Sequence, residues 1–331
     1  MTIPASIPIS KLTKEEIESL KPGLVDGLSS LDMDGVAKYI KNKANKIILM
    51  IGAGLSTAAG IPDFRTPGTG LYYNLQKFNL PTPESVFSID YFDQHPEAFF
   101  QLAKDTLPGR YKPTKGHYFC TLLQRKGILK KIYTQNIDGL EACAGVSPEK
   151  IIYAHGSYYT SHCRKCHKLF KLEDIRSKYD TGEVIHCDAP NCDGVVKPDV
   201  VFFGESLPDE FYDNYQEDFD ECDLLIVIGT SLVVYPFAGL IHEVKDTVPR
   251  VLINNQKVAT CEENVTVTKD ENGKLTAKEL RTRQKFFKFD HILNRRDVYL
   301  GGDCQKAISD LVEAIGWSNE FEALVNEKNE N

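Results

Sequence analysis

A glycine turn near the start of the chain has the residue types that bind the diphosphate of a dinucleotide. Gly52, Gly54 and Gly60 follow Ile47–Ile51, an apolar run without charge that predicts a buried strand. Glycine lets the backbone approach phosphate closely, and a helix start beyond it offers free N–H groups to an anion. The turn departs from the G-x-G-x-x-G fingerprint of dehydrogenases, because Thr57 occupies the place of its third glycine.

Polar side chains that suit a sugar and an amide follow another predicted strand. Gln135, Asn136 and Asp138 come after the strand-like run 132–134, and they offer donors and acceptors to ribose hydroxyls and a carboxamide. Asn and Asp also favour capped turns, which is the alternative interpretation of this segment taken alone. Ligands bind at the carboxyl ends of parallel strands, so these residues are candidates for a cofactor site.

His155 is the candidate general base. It follows the run 151–154, and an imidazole has a pKa near neutral pH. A histidine with a purely structural role is the alternative for this residue taken alone. Two further polar sets follow predicted strands in the same way: Gly229, Thr230 and Ser231 after Leu224–Ile228, and Asn254 and Asn255 after 251–253. Four or five such sets on one edge of the sheet favour a functional site over a set of purely structural turns.

Four of the nine cysteines form two close pairs whose spacing is typical of a zinc site. Cys163 and Cys166 form a C-x2-C pair, and Cys187 and Cys192 form a C-x4-C pair. Structural zinc prefers four thiolates in a tetrahedron, which leaves no open position for catalysis. We therefore expect one structural Zn²⁺ on these cysteines, with reduced surface thiols as the alternative. Three flanking histidines could substitute as ligands: His162, His167 and His186.

Residues 197–205 form a brief apolar segment with adjacent aromatic residues, Phe202 and Phe203. Such a strand could bind an extended peptide by pairing with it edge to edge. A core strand is the alternative. The peptide interpretation requires His155 and residues 201–203 to lie in the same cleft.

The elements that must position these residues alternate between strand and helix. Helical spacing marks 33–42, 95–105, 117–126 and 237–244, and a last strand is predicted at 298–300. This alternation predicts an α/β fold with a doubly wound, parallel, Rossmann-like sheet.

Insertions divide the predicted fold into a large domain and a smaller one made of a helical insertion and a zinc-binding module. Residues 257–296 are polar with a basic patch, which we interpret as a solvated loop rather than a partner site. The predicted organisation is a flexible N-terminal extension 1–30, a Rossmann-like dinucleotide-binding domain 31–65, 116–156 and 199–317, a helical insertion with cofactor loop 66–115, a zinc-binding module 157–198 and a C-terminal tail 318–331.

Composition excludes several classes of protein. The 331 residues include 42% hydrophobic and 26% charged residues, as in ordinary globular proteins. The net charge of -8 argues against direct binding of nucleic acid through its phosphates. No apolar run approaches the roughly 20 residues of a membrane span, and no secretory signal is visible. An odd number of cysteines favours metal binding or free thiols over a disulfide framework.

The order of these motifs resembles that of the sirtuins, which are NAD-dependent protein lysine deacylases. The resemblance covers about residues 32–317 and rests on GAGLSTAAGIPDFR, TQNIDGLE, the His-Gly pair at 155–156, the paired cysteines, KPDVVFFGE, GTSLVVYPFA and LINN. Within the family, TGLYYNLQKFNLPTPESVF, HPEAFF and HYF look most like the cytoplasmic branch of the eukaryotic class I sirtuins. The resemblance to this branch therefore implies that the protein is located in the cytoplasm, and it leaves entry into the nucleus possible.

Residue by residue, the resemblance implies a site for NAD and one for an acyl-lysine. His155 would be the catalytic base, Asn136 would share the catalytic role, and Cys304 would sit by the adenine. The implied cofactor-binding residues are Gly52, Ala53, Gly54, Leu55, Ser56, Thr57, Ile61, Asp63, Phe64, Arg65, Gln135, Asn136, Ile137, Asp138, Gly229, Thr230, Ser231, Asn254, Asn255, Gln256 and Cys304. The candidate residues on the acyl-lysine side are Phe87, Val201, Phe202, Phe203, Gly204 and Glu205.

Three features depart from the family pattern. Leu55 replaces a more usual isoleucine, and Asn255-Gln256 stands where close relatives tend to have Lys-Glu. The second cysteine pair is also longer than the frequent C-x2-C.

The implied activity is removal of acetyl, or longer acyl, groups from lysine side chains, with NAD consumed as co-substrate. The implied products are free lysine, nicotinamide and 2′-O-acetyl-ADP-ribose, and the implied partners are acylated histones or cytoplasmic proteins. A side activity as ADP-ribosyltransferase and a non-catalytic scaffold that reads acetyl-lysine are the alternatives. An NAD-dependent dehydrogenase is a further rival, which would usually show G-x-G-x-x-G and an acidic residue at the end of the second strand.

Overall fold

The computed structural model describes residues 7–61, 80–261, 265–270, 272–279 and 285–329. The strands are β1 (Ile47–Ile51), β2 (Leu129–Thr134), β3 (Ile151–Tyr153), β4 (Gly156–Cys163), β5 (Leu169–Lys171), β6 (Val196–Val200), β7 (Leu224–Ile228), β8 (Arg250–Asn254), β9 (Val265–Lys269), β10 (Leu275–Glu279) and β11 (Asp297–Gly301). The α-helices are α1 (Lys14–Leu20), α2 (Met33–Asn42), α3 (Ile89–Phe92), α4 (Glu97–Thr106), α5 (Lys115–Arg125), α6 (Leu140–Cys143), α7 (Leu172–Thr181), α8 (Asp209–Glu221), α9 (Cys304–Ile315) and α10 (Ser318–Asn329). Short 3-10 turns occupy Ile9–Lys11, Ala53–Leu55, Thr57–Ala59, Pro83–Phe87, Pro148–Lys150 and Phe237–His242.

Six strands form one parallel sheet in the order β11-β8-β7-β1-β2-β3. The chain builds β1, β2 and β3 towards one side and β7, β8 and β11 towards the other, so the order reverses between β1 and β7. In a doubly wound sheet, ligands bind in the crevice outside the carboxyl ends at this reversal. The predicted parallel α/β sheet is confirmed.

The carboxyl ends of the central strands are level with one another. Ile51, the last residue of β1, pairs with Thr134 of β2 and with Ile228 of β7, and Ile228 pairs with Ile253 of β8. The loops that follow these strands therefore leave the sheet at the same edge.

Both faces of the sheet are covered, which explains why β1 is apolar at every position rather than at alternate ones. On one face Ile47, Leu49 and Ile51 pack with α2, α5, α9 and α10. On the other, Ile48 and Met50 pack with α8 and the turn Phe237–His242. All five residues of β1 are fully buried.

The chain leaves the large sheet twice, and both excursions share a second core. The described part of the first, residues 80–114, contributes α3 and α4, and the second contributes the antiparallel sheet β5-β4-β6 with α7. Phenylalanines from both excursions pack together in this core: Phe87, Phe92, Phe99, Phe100, Phe170 and Phe202. The predicted smaller domain, made of a helical insertion and a cysteine module, is confirmed.

Two peripheral regions are more ordered than their sequence indicates. Strands β9 and β10 form a hairpin within 257–296, and α1 packs against it, with Leu20 next to Val267. Residues 318–329 form helix α10, whose Phe321 and Leu324 are buried in the large core. These apolar patterns are short and obtain their partners from distant segments, so local periodicity alone does not reveal them. The domain boundaries themselves remain a prediction.

Among the helices in the described ranges, none combines the length and apolar character of a bilayer-spanning segment.

Candidate active site

A cavity of 640 Å³ opens at the carboxyl edge of the large sheet and extends to the smaller domain. Its walls are the loops after β1, β2, β3, β7 and β8, together with the segment after β6. Most residues predicted for the two sites line it: Ala53, Gly54, Phe87, Gln135, Asn136, Ile137, His155, Val201, Phe202, Phe203, Gly204, Glu205, Gly229, Thr230, Ser231, Asn254, Asn255 and Gln256. His155 and residues 201–203 thus share one cleft, as the peptide interpretation requires.

The glycine turn after β1 lies directly against the loop after β7. The N–H of Gly54 donates to the carbonyl of Gly229 over 2.8 Å. A Cβ on Gly54 would lie 2.8 Å from the Cα of Gly229, and a Cβ on Gly52 would lie 2.7 Å from the Cβ of Thr230. Both glycines are therefore needed where the two loops meet at the reversal of strand order, in addition to any approach to phosphate.

A buried hydrogen-bond network lies beside the glycine turn. The Ser56 hydroxyl donates to Asp138 Oδ2 over 2.7 Å and accepts from Asn136 Nδ2 at 3.2 Å. Asn136 Nδ2 also donates to the carbonyl of Gly52 at 3.2 Å. Burial raises the pKa of Asp138, although its bonds from the Leu140 N–H and from Ser56 oppose the rise. The network fixes Asn136 relative to the turn after β1.

His117 completes this network, and sequence reasoning missed it. Its Nδ1 accepts the backbone N–H of Thr114 at 3.1 Å, so Nε2 carries the ring proton and lies 3.4 Å from the Ser56 hydroxyl. Burial lowers the pKa of His117 to about 3, so the ring is neutral. The sequence contained His117 within the HYF motif, but nothing local indicated that it would contact Ser56.

His155 has the protonation state of a general base. Its Nδ1 lies 3.2 Å from the backbone carbonyl of Gln135. A carbonyl can only accept, so Nδ1 carries the proton and the lone pair is on Nε2. Burial lowers the pKa of His155, and the bond to Gln135 opposes this only in part. The neutral imidazole can therefore accept a proton at Nε2 near neutral pH.

Gln135 connects two loops across the cavity. Its backbone N–H donates to the carbonyl of Ile51 at 2.9 Å. Its side-chain Oε1 accepts the Thr230 hydroxyl at 2.7 Å. One residue after β2 is thereby tied to the end of β1 and to the loop after β7, which sets the width of the polar part of the cavity.

At the far end of the polar wall, Asn254 is held by its own loop, because its Nδ2 donates to the carbonyl of Gln256 at 2.9 Å. Cys304 lies behind this wall, with its thiol 3.6 Å from the carbonyl of Ile253. Burial raises the pKa of Cys304 to about 11, so the group is a thiol rather than a thiolate at neutral pH.

Several predicted residues are not in the wall of the cavity: Gly52, Leu55, Ser56, Thr57, Ile61, Asp138 and Cys304. Asp63, Phe64 and Arg65 lie outside the described residues. Five wall residues were not predicted: Val200, Leu207, Val234, Tyr235 and Val258. Two of them, Val234 and Tyr235, stand inside the motif GTSLVVYPFA, which was the available signal.

The four paired cysteines lie together in the smaller domain. Their Sγ atoms are all within 4.8 Å of one another, and Cys163–Cys192 and Cys166–Cys187 are each 3.6 Å apart. Sulfurs about 2.3 Å from a tetrahedral zinc are about 3.8 Å from one another, so the cluster fits this ion. Backbone N–H groups of Lys165 and Cys166 also point at the Cys163 sulfur, at 3.3 and 3.4 Å. The cluster can hold one metal ion.

Comparison with known proteins finds a matching family and several similar proteins. A model of the Sir2 family matches residues 52–236. The chain is 46% identical over 301 residues to "NAD-dependent protein deacetylase sirtuin-2" of Danio rerio, which covers 90% of this chain and 76% of that protein. It is 41% identical over 298 residues to "NAD-dependent protein deacetylase hst2" of Schizosaccharomyces pombe, with 90% and 80% covered. It is 46% identical over 295 residues to "NAD-dependent deacetylase sir2A" of Dictyostelium discoideum, with 88% of this chain and 53% of that longer protein covered.

Proposed function

The chain belongs to the Sir2 family, and from this premise we infer that it is an NAD-dependent protein deacetylase, which removes acetyl groups from lysine side chains of proteins. The relatives that carry this activity in their names align with about nine tenths of the chain. One observation carries the inference to the chemistry: His155, a neutral imidazole with its lone pair on Nε2, lies in the wall of the same cavity as the polar dinucleotide loops and the apolar segment after β6.

The polar wall supports a site for NAD. We propose that residues 53–57 hold the diphosphate, that Gln135 and Asn136 hold the nicotinamide ribose, and that Thr230, Ser231 and residues 254–256 hold the adenosine half. Ile137 lines the cavity beside Asn136 and would contribute, with Ile61 and Asp138, to the nicotinamide pocket. The hydrogen bond between Gln135 and Thr230 would keep these two groups of contacts at a constant distance.

The reaction proposed consumes NAD. The bond between ribose and nicotinamide breaks, and the acetyl-lysine oxygen bonds to the ribose carbon that nicotinamide leaves. The acetyl carbon then passes to the 2′-oxygen, the lysine amine departs, and one water, which enters after nicotinamide has been displaced, is consumed. Free lysine, nicotinamide and 2′-O-acetyl-ADP-ribose are released. His155 accepts a proton from a ribose hydroxyl at Nε2 and so raises the nucleophilicity of that oxygen. Holding the acetyl-lysine oxygen beside the ribose supplies proximity. The apolar walls exclude water, which would otherwise hydrolyse NAD.

The apolar segment supports a site for the acyl-lysine chain. Phe87 and Phe202 lie edge to face, with ring centroids 5.9 Å apart, and both line the cavity with Val201. Phe203 is 47% exposed although it is a large apolar residue, which favours contact with a bound peptide. We propose that residues 201–205 and Phe87 form the acyl-lysine side, and that histones or cytoplasmic proteins supply the substrate.

We further propose that the cluster of Cys163, Cys166, Cys187 and Cys192 holds one structural Zn²⁺. Four thiolates leave no position for substrate, so the ion would stabilise the fold without taking part in the reaction. The cluster joins the loop after β4 to the loop before β6, and β6 leads directly to the acyl-lysine side.

The test is His155→Ala, incubated with NAD and an acetyl-lysine peptide and analysed by mass spectrometry. We expect no deacetylated peptide, while NAD affinity measured by calorimetry is kept. His95→Ala, which removes an exposed histidine from the smaller domain, is the matched control and should retain full turnover. Full turnover by His155→Ala would contradict the assignment of the base.

The wild-type products separate the alternatives. A dehydrogenase would produce the absorbance of reduced nicotinamide, and a reader of acetyl-lysine would bind the peptide without releasing nicotinamide. An ADP-ribosyltransferase would add ADP-ribose to a protein. A panel of peptides with acyl chains of increasing length then measures acyl preference, and imaging of the tagged protein tests the predicted cytoplasmic and nuclear locations.

A further inference from the structure

Lys197 is a buried cation directly behind the acyl-lysine side of the cavity. It lies on β6, and only 7% of its side chain is exposed. Its ammonium contacts three oxygens: Glu205 Oε2 at 2.8 Å, the carbonyl of Val200 at 2.7 Å and the carbonyl of Pro198 at 3.2 Å. It also lies 4.1 Å from the centroid of the Phe202 ring. The three N–H donors of an ammonium can therefore all be used.

These contacts close the segment 200–205 into a loop. Glu205 Oε2 accepts the backbone N–H of Phe202 at 2.8 Å as well as the Lys197 ammonium. Lys197 thus joins the beginning of the segment, at Val200, to its end, at Glu205. The residues between them line the cavity, whereas Lys197 itself is not part of its wall.

The same loop is held from the other side by the helical insertion. The N–H of Phe203 donates to the carbonyl of Phe87 at 2.7 Å, and the N–H of Ile89 donates to the carbonyl of Phe203 at 3.1 Å. Arg164, between two of the paired cysteines, binds Asp93 at 2.9 and 2.7 Å and lies 4.0 Å from Glu205 Oε1. Glu205 therefore has a cation near each of its oxygens.

A buried ion pair is poor evidence for stability, because desolvation offsets most of the attraction and an apolar residue could fill the same volume. What an apolar residue cannot do is direct a carboxylate and a backbone carbonyl to fixed positions. The Lys197–Glu205 pair therefore contributes to the loop by fixing the positions of these groups rather than by adding stability.

We propose that Lys197 is a positioning residue for the acyl-lysine: it acts through Glu205 and the Val200 carbonyl to hold residues 201–204 in the shape that receives the substrate chain. The inference rests on the proposed deacetylase function. It predicts that loss of Lys197 affects the peptide substrate selectively, because the loops that would bind NAD are supported by the large sheet instead.

The experiment compares Lys197→Met with the wild-type chain in steady-state deacetylation. We expect the KM for an acetyl-lysine peptide to rise about 10-fold or more, since small misplacements of a substrate wall have effects of this size, while the KM for NAD stays within about twofold. Lys197→Arg keeps a cationic donor, and its peptide KM should stay below that of Lys197→Met. If Lys197→Met does not fold, Lys197→Gln replaces it with the same expectation.

Lys130→Met is the matched control. Lys130 is also a shielded lysine with two acidic partners, Asp218 at 3.2 Å and Glu221 at 2.8 Å, but it lies at the opposite end of β2 from the cavity. Its substitution should leave both KM values unchanged.

An unchanged peptide KM in a folded Lys197 variant, or equal rises in both KM values, would overturn the positioning role. If the wild-type chain releases no nicotinamide from peptide and NAD, the proposed function fails, and this inference fails with it.

Discussion

The two ends of the cavity are held in place by different means. At the polar end, Gly54, Gln135 and Thr230 follow parallel strands whose hydrogen bonds set their relative positions. At the apolar end, the loop 201–205 depends on a few groups: the Lys197–Glu205 pair, the phenylalanine core and the cysteine cluster. The polar end is held by many hydrogen bonds of a six-stranded sheet, whereas the apolar end is held by a few individual groups. The apolar end should therefore be the easier of the two to disrupt separately.

Removal of the metal should have the largest effect and should separate the two ends. We expect Cys163→Ser, or chelation of the wild-type protein, to unfold the smaller domain and abolish deacetylation, because structural zinc contributes about 10 kcal/mol or more to the folding of such modules. Hydrogen exchange should show lost protection in β4 and β6 and kept protection in β1 and β7. Cys143→Ser, at an exposed cysteine outside the cluster, is the control. Chelated protein that retains full activity would contradict the zinc assignment.

A large core truncation should show the same separation without a metal. Phe99 is 1% exposed, and its ring centroid lies 5.0 Å from that of Phe202 and 5.7 Å from that of Phe92. Phe99→Ala should cost about 3–5 kcal/mol of unfolding free energy, with the lost protection confined to the smaller domain. Phe219→Ala, in the cluster between α8 and the large sheet, should cost a similar amount but reduce protection in the large sheet. Uniform loss of protection in both variants would mean that the two cores unfold as one unit.

A single methyl group at the glycine turn should disturb the polar end. Gly54→Ala places a Cβ 2.8 Å from Gly229 Cα. Because the backbone fixes the position of a Cβ and Gly229 Cα is itself a backbone atom, the loops after β1 and β7 must separate. We expect a cost of about 1–3 kcal/mol and a raised KM for NAD with little change in the KM for peptide. Gly23→Ala is the control, because a Cβ there meets nothing within 4 Å. A raised KM for peptide with an unchanged KM for NAD would contradict the assignment of the polar end to NAD and of the apolar end to the peptide.

The pH dependence of the reaction should show the smallest effect. Because burial lowers the pKa of His155 below the ordinary value of 6.5, the base stays neutral, and therefore active, at pH values where a free imidazole is half protonated. The acid limb of log kcat/KM for the peptide should have its midpoint below pH 6.5. The same shift means that His155 contributes stability above pH 6.5 that is lost as the pH falls towards its folded-state pKa. A midpoint above 6.5 would contradict a desolvated base.

The sequence predicted the polar end more completely than the apolar end. The strands at β1 and β7 and the helix at 33–42 have the predicted positions, because continuous apolar runs and helical spacing are local signals. Parallel strands then bring Gly54, Gln135, His155 and Thr230 to one edge without further information. The cysteine cluster was also predictable, since its ligands occur in two close pairs.

The rest depends on contacts between distant segments. His117 approaches Ser56 across 61 positions, and nothing near either residue indicates this. Lys197 reads as an ordinary charged residue at the start of a strand, and its burial results from the phenylalanine core packed around it. The hairpin β9–β10 has only brief alternation, and it obtains its apolar partner from α1, more than 200 positions earlier. Local patterns carry no information about such pairings.

The position of β7 beside β1 has a consequence for synthesis of the chain on the ribosome. The segments of the smaller domain, up to β6, are made before Leu224, the first residue of β7. At about 5–20 residues per second, β1 waits roughly 10 to 30 seconds for the neighbour with which it forms the centre of the sheet. A chain made only as far as residue 205 contains the segments of the smaller domain and three strands of the large sheet, whereas β7, which forms one side of the crevice for the dinucleotide, has not yet been made. The order of translation therefore makes the dinucleotide end the last part of the cavity to be assembled.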